Sequence, residues 1–261
     1  MDPLRDVLLE RRKKHKLFIP YLTFGYPDVV SFCELLRICE EEGADAIEVG
    51  IPHSDPVADG PVIQTTSFVA LKQGVTPRTV PEVLSRFHFS IPLIAMTYGN
   101  IVLQYGVGKF AKDYREAGFL GLIVADFPLE AWEFLEGARG VLSRVLLASV
   151  TSPLERVRRI AERAEGFVYL VSGKGVTGKA EVDFQAIVER VTYVKHYVPA
   201  LVLPGFGIHS PDQAEYIAAC TDGVIVGSAL LEYIIEHRGE KDFVRGFADL
   251  IQAYREALDR A

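Results

Sequence analysis

Two acidic residues stand in the stretch EVGIPHSDPVADGP, at positions 48–61. Glu48 interrupts an apolar segment that has the character of a β-strand, and Asp59 follows eleven residues later in a loop rich in Pro and Gly. Paired carboxyl groups can perform general acid–base catalysis, because one group gives or takes a proton while the other orients the reactant or stabilises charge. These residues therefore either perform proton-transfer chemistry or only shape a loop.

The alternation of side chains along the strand indicates where Glu48 points. In DAIEVGI (45–51), branched apolar residues alternate with Ala46, Glu48 and Gly50, so Glu48 lies on the less bulky face. A buried carboxylate is costly unless it is paired, protonated or reached by water. The position favours a catalytic acid over a structural one. For Asp55 and Asp59, each followed by Pro or Gly-Pro, spacing alone favours turn formation.

Glycine clusters near the end of the chain indicate an anion site. PGFGI (204–208) and VGSAL (226–230) each follow an apolar segment. Glycine allows the backbone to approach an oxyanion, and the N-terminus of a helix attracts negative charge. We therefore predict a phosphate site between these two loops. A third loop, SGKGVTG (172–178), has the composition of a mobile lid.

Short apolar segments alternate with longer amphipathic segments throughout the chain. We predict strands at 17–23, 45–51, 92–97, 120–125, 145–150, 167–172, 200–203 and 223–226. We predict helices at 31–42, 62–73, 78–87, 107–117, 129–139, 153–163, 184–197, 211–219, from 228, and at 243–258, with an extra helix before the first strand.

This alternation predicts a parallel α/β architecture. About eight β–α units in a chain of this length are typical of a single-domain (β/α)₈ TIM barrel spanning residues 1–261, with the extra N-terminal helix added. An open, doubly wound sheet is the competing fold. It usually has fewer strands, and no GxGxxG sequence follows the first strand here.

Composition limits the classes of function. The net charge of −7 argues against a nucleic-acid face, and apolar residues at 49% are enough for a large core. The three cysteines fit no zinc pattern and are expected to be free thiols. No signal peptide and no membrane-length apolar run is present in the sequence, so we expect a soluble, cytoplasmic protein.

Beyond these patterns, the chain closely resembles the tryptophan synthase alpha subunit family. The most specific part of the resemblance is the SDPVADGP core of the first motif. The other matching segments, in the same order and spacing, are FIPYLTFGYPD (18–28), Gln64, MTYGN (96–100), ADFPLE (125–130), YLVSGKGVTG (169–178), PGFGI (204–208) and VGSALL (226–231). The resemblance covers nearly the whole chain.

The resemblance implies an activity and a set of site residues. The family cleaves indole-3-glycerol phosphate to indole and glyceraldehyde 3-phosphate, and the matching motifs make Glu48 the acid/base residue and Asp59 its partner. The other residues that match the family's substrate site are Tyr21, Tyr98, Tyr169, Thr177 and Phe206, and those that match its phosphate site are Gly178, Gly207, Gly227 and Ser228. For the tyrosines, core packing is the alternative role.

The resemblance also implies a partner. The family works with a beta subunit, as an α₂β₂ heterotetramer, and indole passes to the beta subunit, which carries pyridoxal phosphate. We therefore expect no metal and no cofactor in this chain. The interface is expected around Pro52, the Asn100 region and the loop at Asp126. The isolated chain is expected to be a monomer.

Several positions depart from the family's pattern. His53 stands where the family usually has an aromatic residue, and its titration would add a pH dependence. Ile101 and Ala125 replace prolines, and Gly173 replaces a frequent arginine. These changes affect the partner surface and the lid more than the chemistry.

Three other functions stay open from the sequence. A stand-alone lyase that releases free indole would share the catalytic residues. A regulatory binding subunit would not need Glu48 and Asp59. Another phosphate-binding barrel, such as an isomerase of the same pathway, would place its acids after other strands.

Overall fold

The computed structural model describes residues 2–171, 183–205 and 207–261. The strands are β1 Leu17–Thr23, β2 Ile47–Gly50, β3 Leu93–Thr97, β4 Phe119–Val124, β5 Ser143–Ser149, β6 Val168–Val171, β7 Val202–Gly205 and β8 Gly223–Val226. The helices are α1 Pro3–Arg12, α2 Val29–Glu41, α3 Pro61–Lys72, α4 Thr79–Leu84, α5 Gly99–Tyr105, α6 Val107–Glu116, α7 Leu154–Ala161, α8 Phe184–Tyr197, α9 Pro211–Ala218, α10 Ser228–His237 and α11 Phe243–Asp259. A 3₁₀ helix occupies Leu129–Ala138.

The eight strands form one parallel sheet that is nearly closed into a barrel. The strand order is β7-β6-β5-β4-β3-β2-β1-β8, so the first strand lies between the second and the last. At the remaining edge, the backbone N–H of Asp222 donates to the carbonyl of Val202 at 3.2 Å and joins the start of β8 to β7. The predicted (β/α)₈ barrel is confirmed.

The extra N-terminal helix covers one end of this barrel. Leu4 and Leu8 of α1 are fully buried, and the N–H of Leu4 donates to the Ser143 hydroxyl, 3.1 Å away, at the start of β5. The carboxylate of Asp2 caps the helix and also accepts from the N–H of Gly166 at 2.8 Å. The carboxyl ends of the strands therefore remain as the end where a site can form.

Two connections differ from the sequence prediction. The segment predicted as an α-helix at 129–139 is a 3₁₀ helix, a tighter form that is common in short connectors. The short helix α5 was not predicted. Its first N–H group, at Gly99, is satisfied by the carboxylate of Asp126 at 2.7 Å. Because that cap comes from a distant loop, the local sequence carries no signal for it.

Strand limits shifted by a few residues in most cases. For example, β2 was predicted to begin at Asp45, but it begins at Ile47. The Asp45 carboxylate accepts from the N–H of Phe18 at 2.9 Å.

Across the described ranges, no helix has the length and apolar character needed to cross a membrane.

Candidate active site

Glu48 lies in the barrel interior, on β2 and in register with Tyr21 of β1. Its side chain is fully buried, and neither carboxyl oxygen has a hydrogen-bond partner among residues 2–171, 183–205 and 207–261. Burial, together with the nearby charge of Asp59, raises the pKa of Glu48 to about 8. Glu48 is therefore protonated at neutral pH and available as a proton donor.

Asp59 lies in the loop after β2 and is 6% exposed. Its N–H donates to the carbonyl of Pro56 at 3.0 Å, and the Gln64 amide donates to its carbonyl at 2.7 Å. Burial raises the pKa of Asp59 to about 6, while a hydrogen bond from Tyr98 and the charge that His53 carries when its ring is protonated act in the opposite direction. Asp59 is therefore mainly ionised at neutral pH.

The two carboxyl groups interact electrostatically and hold different protonation states at neutral pH. A protonated Glu48 can donate, and an ionised Asp59 can stabilise positive charge. Pairs of acids whose environments separate their pKa values are typical of acid–base active sites. The turn-forming role that spacing favoured for Asp59 also holds, because its backbone takes part in the turn.

Tyr21 and Tyr169 flank Glu48, and glycines make room for both. A Cβ atom on Gly50 would overlap the Tyr21 hydroxyl, and one on Gly205 would overlap the Tyr169 hydroxyl. Both rings are buried, and burial raises the pKa of each phenol further above its ordinary value. The two hydroxyls therefore stay neutral and cannot act as bases.

A pocket joins Glu48 to the glycine loops of the last two strands. Its empty space is about 370 Å³, part of it open to solvent. The lining residues are Tyr21, Glu48, Ile63, Met96, Tyr169, Gly207, Ile208, Ile225, Gly227 and Ser228. The pocket thus has a carboxyl group, an apolar wall and a glycine-rich end, which suits a ring-bearing substrate with an anionic tail.

The glycine-rich end is built around the start of α10. This helix begins at Ser228 directly after β8, so its first N–H groups have no acceptor within the helix. Gly207 has φ of 76°, which L side chains rarely adopt, and it brings the β7 loop to the same end of the pocket. Backbone donors, a helix N-terminus and a hydroxyl such as that of Ser228 are the groups that bind phosphate in many proteins.

The structure brings six of the predicted site residues to the pocket. They are Tyr21, Glu48, Tyr169, Gly207, Gly227 and Ser228. Asp59 and Tyr98 do not line it. The Tyr98 hydroxyl accepts from the N–H of Ala58 at 3.1 Å and bonds to the Asp59 carboxylate. Thr177, Gly178 and Phe206 lie outside the described residues.

Sequence reasoning missed the apolar wall of the pocket. Ile63, Met96 and Ile225 line it, although none belongs to a motif with evident chemistry. The side-chain alternation of β3 and β8 is the signal that would have found two of them, because alternate residues of a barrel strand face inward. In the same described ranges, no group of three or more His, Cys, Asp or Glu is arranged as a metal site.

These features define a class of protein. A parallel barrel with acids and glycine loops at the carboxyl ends of its strands is typical of (β/α)₈ enzymes that bind phosphorylated substrates. The family model "Tryptophan synthase alpha chain" matches residues 8–258. The chain belongs to the tryptophan synthase alpha chain family.

Individual relatives agree with this assignment. The chain is 41% identical to the tryptophan synthase alpha chain of Halorhodospira halophila, over 92% of this chain and 90% of the relative. It is 39% identical to that of Lactiplantibacillus plantarum, over 95% and 94%. The solved alpha subunit of Legionella pneumophila str. Paris superposes with a TM-score of 0.89 at 31% identity, covering 100% of both chains. A chain of Mycobacterium tuberculosis tryptophan synthase superposes with a TM-score of 0.86 at 36% identity, covering 98% of this chain and 97% of that chain.

Proposed function

We propose that this protein is the alpha chain of a tryptophan synthase and that it cleaves indole-3-glycerol phosphate to indole and D-glyceraldehyde 3-phosphate. The observation that supports the proposal most strongly is the buried Glu48, which has no hydrogen-bond partner among the described residues. It lines a pocket whose other end is rich in glycine and includes the start of a helix. An unpaired buried acid is costly, and such groups are frequent in active sites. The identity of the proposed substrate is inferred from membership of the family.

The proposed chemistry transfers two protons through one carboxyl group. Protonated Glu48 gives its proton to carbon 3 of the indole ring, which leaves a cationic ring and a Glu48 carboxylate. The carboxylate then takes the proton of the side-chain hydroxyl next to the ring. The carbon–carbon bond breaks, its electron pair returns to the ring, and an aldehyde forms. Glu48 regains its proton, so the enzyme is unchanged.

Asp59 supports the cationic stage of this sequence. Protonation of carbon 3 places positive charge on the ring, with part of it at the indole nitrogen. An ionised carboxylate in a dry site stabilises that charge more strongly than it would in water. Tyr98 holds the Asp59 carboxylate by a hydrogen bond, and that bond also favours the ionised form.

The remaining predicted residues receive binding roles in the proposal. Gly207, Gly227 and Ser228 bind the phosphate through backbone and hydroxyl donors. Tyr21 and Tyr169 contact the indole and glycerol portions beside Glu48. Thr177, Gly178 and Phe206 are expected to complete the lid and the phosphate site. The chemistry assigns no task to a metal or cofactor in this chain.

We further propose that a beta subunit, which carries pyridoxal phosphate, receives the indole in a cytoplasmic α₂β₂ complex. The expected interface combines the loop after β2, the start of α5 and the loop at Asp126. The hydrogen bond from the Gly99 N–H to Asp126 joins two of these segments. Exposed apolar side chains lie on two of them, Val57 at 69% and Leu103 at 46% exposure. Solved chains from a tryptophan synthase complex superpose on this chain.

The test is indole release from indole-3-glycerol phosphate by the purified chain, alone and with a cognate beta subunit. Slow release that the partner accelerates strongly is the expected result. Fast release without acceleration would support a stand-alone lyase instead. No release in either case would reject both and leave a binding subunit as the function.

A further inference from the structure

His53 lies in the loop between β2 and α3 (residues 51–60), which we call the acidic loop. Its side chain contacts both this loop and the start of α5. The N–H of Asp55 donates to its Nδ1 atom at 2.9 Å, and its Nε2 atom lies 3.0 Å from the side-chain oxygen of Asn100. Its ring packs on the ring of Tyr98 with centroids 4.7 Å apart. Each of the three contacts uses a different part of the imidazole ring.

These contacts fix the tautomer of the ring. A backbone N–H can only donate, so Nδ1 must carry a lone pair and no proton. Nε2 therefore carries the proton and donates it to the Asn100 oxygen. A neutral imidazole in this one tautomer satisfies both bonds, whereas an imidazolium would carry a proton on Nδ1 and lose the bond from Asp55.

A short series of backbone bonds connects this ring to Asp59. The N–H of Val57 donates to the carbonyl of Asp55 at 3.0 Å, and the N–H of Asp59 donates to the carbonyl of Pro56 at 3.0 Å. The turn that begins at the His53–Asp55 bond therefore ends at the second acid of the site. No other side chain in the described part of the protein accepts the N–H of Asp55.

The packing of His53 on Tyr98 provides a second connection between His53 and Asp59. Tyr98 packs on His53, accepts from the N–H of Ala58 at 3.1 Å and bonds to the Asp59 carboxylate. His53 thus supports the backbone of Asp59 through the turn and its carboxylate through Tyr98. Neither route makes His53 line the pocket that holds Glu48.

We propose that His53 is a positioning residue for the cleavage reaction: it holds the acidic loop and Tyr98 so that the Asp59 carboxylate is placed at the indole nitrogen. The inference rests on the proposed function of Asp59. It assigns His53 an effect on turnover rather than on substrate binding. A misplacement of a catalytic group by about 1 Å lowers the rate by up to about 10²-fold, and the loss of an interaction made only in the transition state lowers kcat with little change in KM.

Several charged or titratable groups surround His53. Asp55 and Asp59 belong to its own loop, Tyr98 packs from the segment after β3, and Lys72 of α3 lines the same surface pocket. Asp126 holds the N–H of Gly99, next to Asn100.

Two substitutions separate the functions of the ring. His53→Phe keeps a ring to pack on Tyr98 and removes both hydrogen bonds. His53→Asn removes the ring and supplies an oxygen that can accept the N–H two residues later, as in an Asx turn. His88→Phe is the matched control, because His88 is exposed just before β3, at the other end of the barrel.

The experiment measures kcat and KM for indole release at one fixed pH, with the beta subunit present, and the melting temperature of each variant. His53→Phe should lower kcat roughly tenfold and change KM less than about twofold, while His53→Asn should recover to within roughly threefold of wild type.

Two results would overturn the inference. One is a wild-type kcat in His53→Phe; the other is a loss in His53→Asn as large as in His53→Phe at equal thermal stability. If wild type itself releases no indole, the proposed function has failed, and ¹⁵N NMR of His53 still tests the positioning. The expected spectrum at pH 8 is that of a neutral ring protonated at Nε2, and a ring protonated at Nδ1 would contradict the proposal.

Discussion

The charge of Asp59 acts on Glu48 across the barrel mouth and adds to burial in raising the pKa of Glu48 to about 8. The pKa of Asp59, about 6, is set instead by burial, which raises it, and by the hydrogen bond from Tyr98 and the charge of a protonated His53, which lower it. The pair is therefore ordered: Asp59 ionises first, and its charge keeps the proton on Glu48. This order matches the tasks that the proposed cleavage gives to the two groups.

The first prediction concerns turnover. Glu48→Gln replaces the carboxyl group by an amide of the same shape that can neither give nor take the proton. We expect kcat for indole release to fall by about 10²–10⁴-fold, the usual contribution of a general acid–base group. Binding of a substrate analogue should change little, because the pocket keeps its shape.

Glu41→Gln is the control for the same change of charge. Glu41 is exposed at the end of α2, away from the pocket, and its substitution should leave kcat unchanged. Near wild-type turnover in Glu48→Gln would show that Glu48 is not the acid/base residue.

The second prediction concerns stability against pH. An ordinary Glu has a pKa of 4.5, so the folded protein holds the Glu48 proton more tightly than the unfolded chain does. The stabilisation from this proton is complete below about pH 4.5 and is lost as the pH rises through about 8. Asp59 acts with the same sign over a lower range, from 3.8 to about 6.

Urea unfolding at several pH values measures this effect. Between pH 5 and 9, the free energy of unfolding of wild type should fall by roughly 2–4 kcal/mol more than that of Glu48→Gln. Parallel curves for the two proteins would mean that the Glu48 pKa is close to that of an exposed glutamate.

The third prediction concerns the pH profile of the reaction. The proposed mechanism needs Asp59 ionised and Glu48 protonated at the start. We therefore expect kcat/KM to follow a bell, with an acid limb near pH 6 and an alkaline limb near pH 8. These apparent values belong to the coupled pair.

Asp59→Asn separates the two limbs. Removal of the Asp59 charge lowers the pKa of Glu48, so the carboxyl signal of Glu48 in ¹³C NMR should titrate at a lower pH than in wild type. An unchanged Glu48 titration would show that the two acids do not interact.

The fourth prediction concerns the glycine beneath Tyr21. Gly50→Ala places a methyl group where the Tyr21 hydroxyl lies, and the ring must move into the pocket or away from it. Overpacking of this kind costs roughly 1–3 kcal/mol of stability, and KM for the substrate should rise. Gly239→Ala is the control, because nothing lies within 4 Å of a Cβ there. Equal KM values for the two variants would place Tyr21 outside the substrate site.

Local patterns were enough to predict the barrel and the direction of Glu48. Strand alternation placed Glu48 on the less bulky face of its strand, and in the observed β2 that face points into the barrel, because the Glu48 side chain is buried and lines the pocket. β1 and β8 have the limits predicted for them. These features depend on neighbours in the chain, which is why periodicity reveals them.

Features that depend on distant contacts were not predictable in the same way. The cap of α5 comes from Asp126, and Tyr98 bonds to Asp59 in a separate loop. The need for glycine at Gly205 arises from the Tyr169 ring on a neighbouring strand. Each of these requires the barrel to be assembled before the two residues meet.

The fifth prediction concerns the proposed partner surface. Leu103 of α5 is 46% exposed, three residues after Asn100, so a beta subunit that covers this helix would bury an apolar side chain there. Leu103→Ser should weaken binding of the beta subunit roughly tenfold, because burial of a leucine contributes about 1.5–3 kcal/mol. Indole release by the isolated chain should be unchanged, since Leu103 does not line the pocket. Leu9→Ser is the matched control, because Leu9 is 37% exposed on α1 at the opposite end of the barrel. Calorimetric titration with the beta subunit measures both affinities, and equal affinities for the two variants would move the interface away from α5.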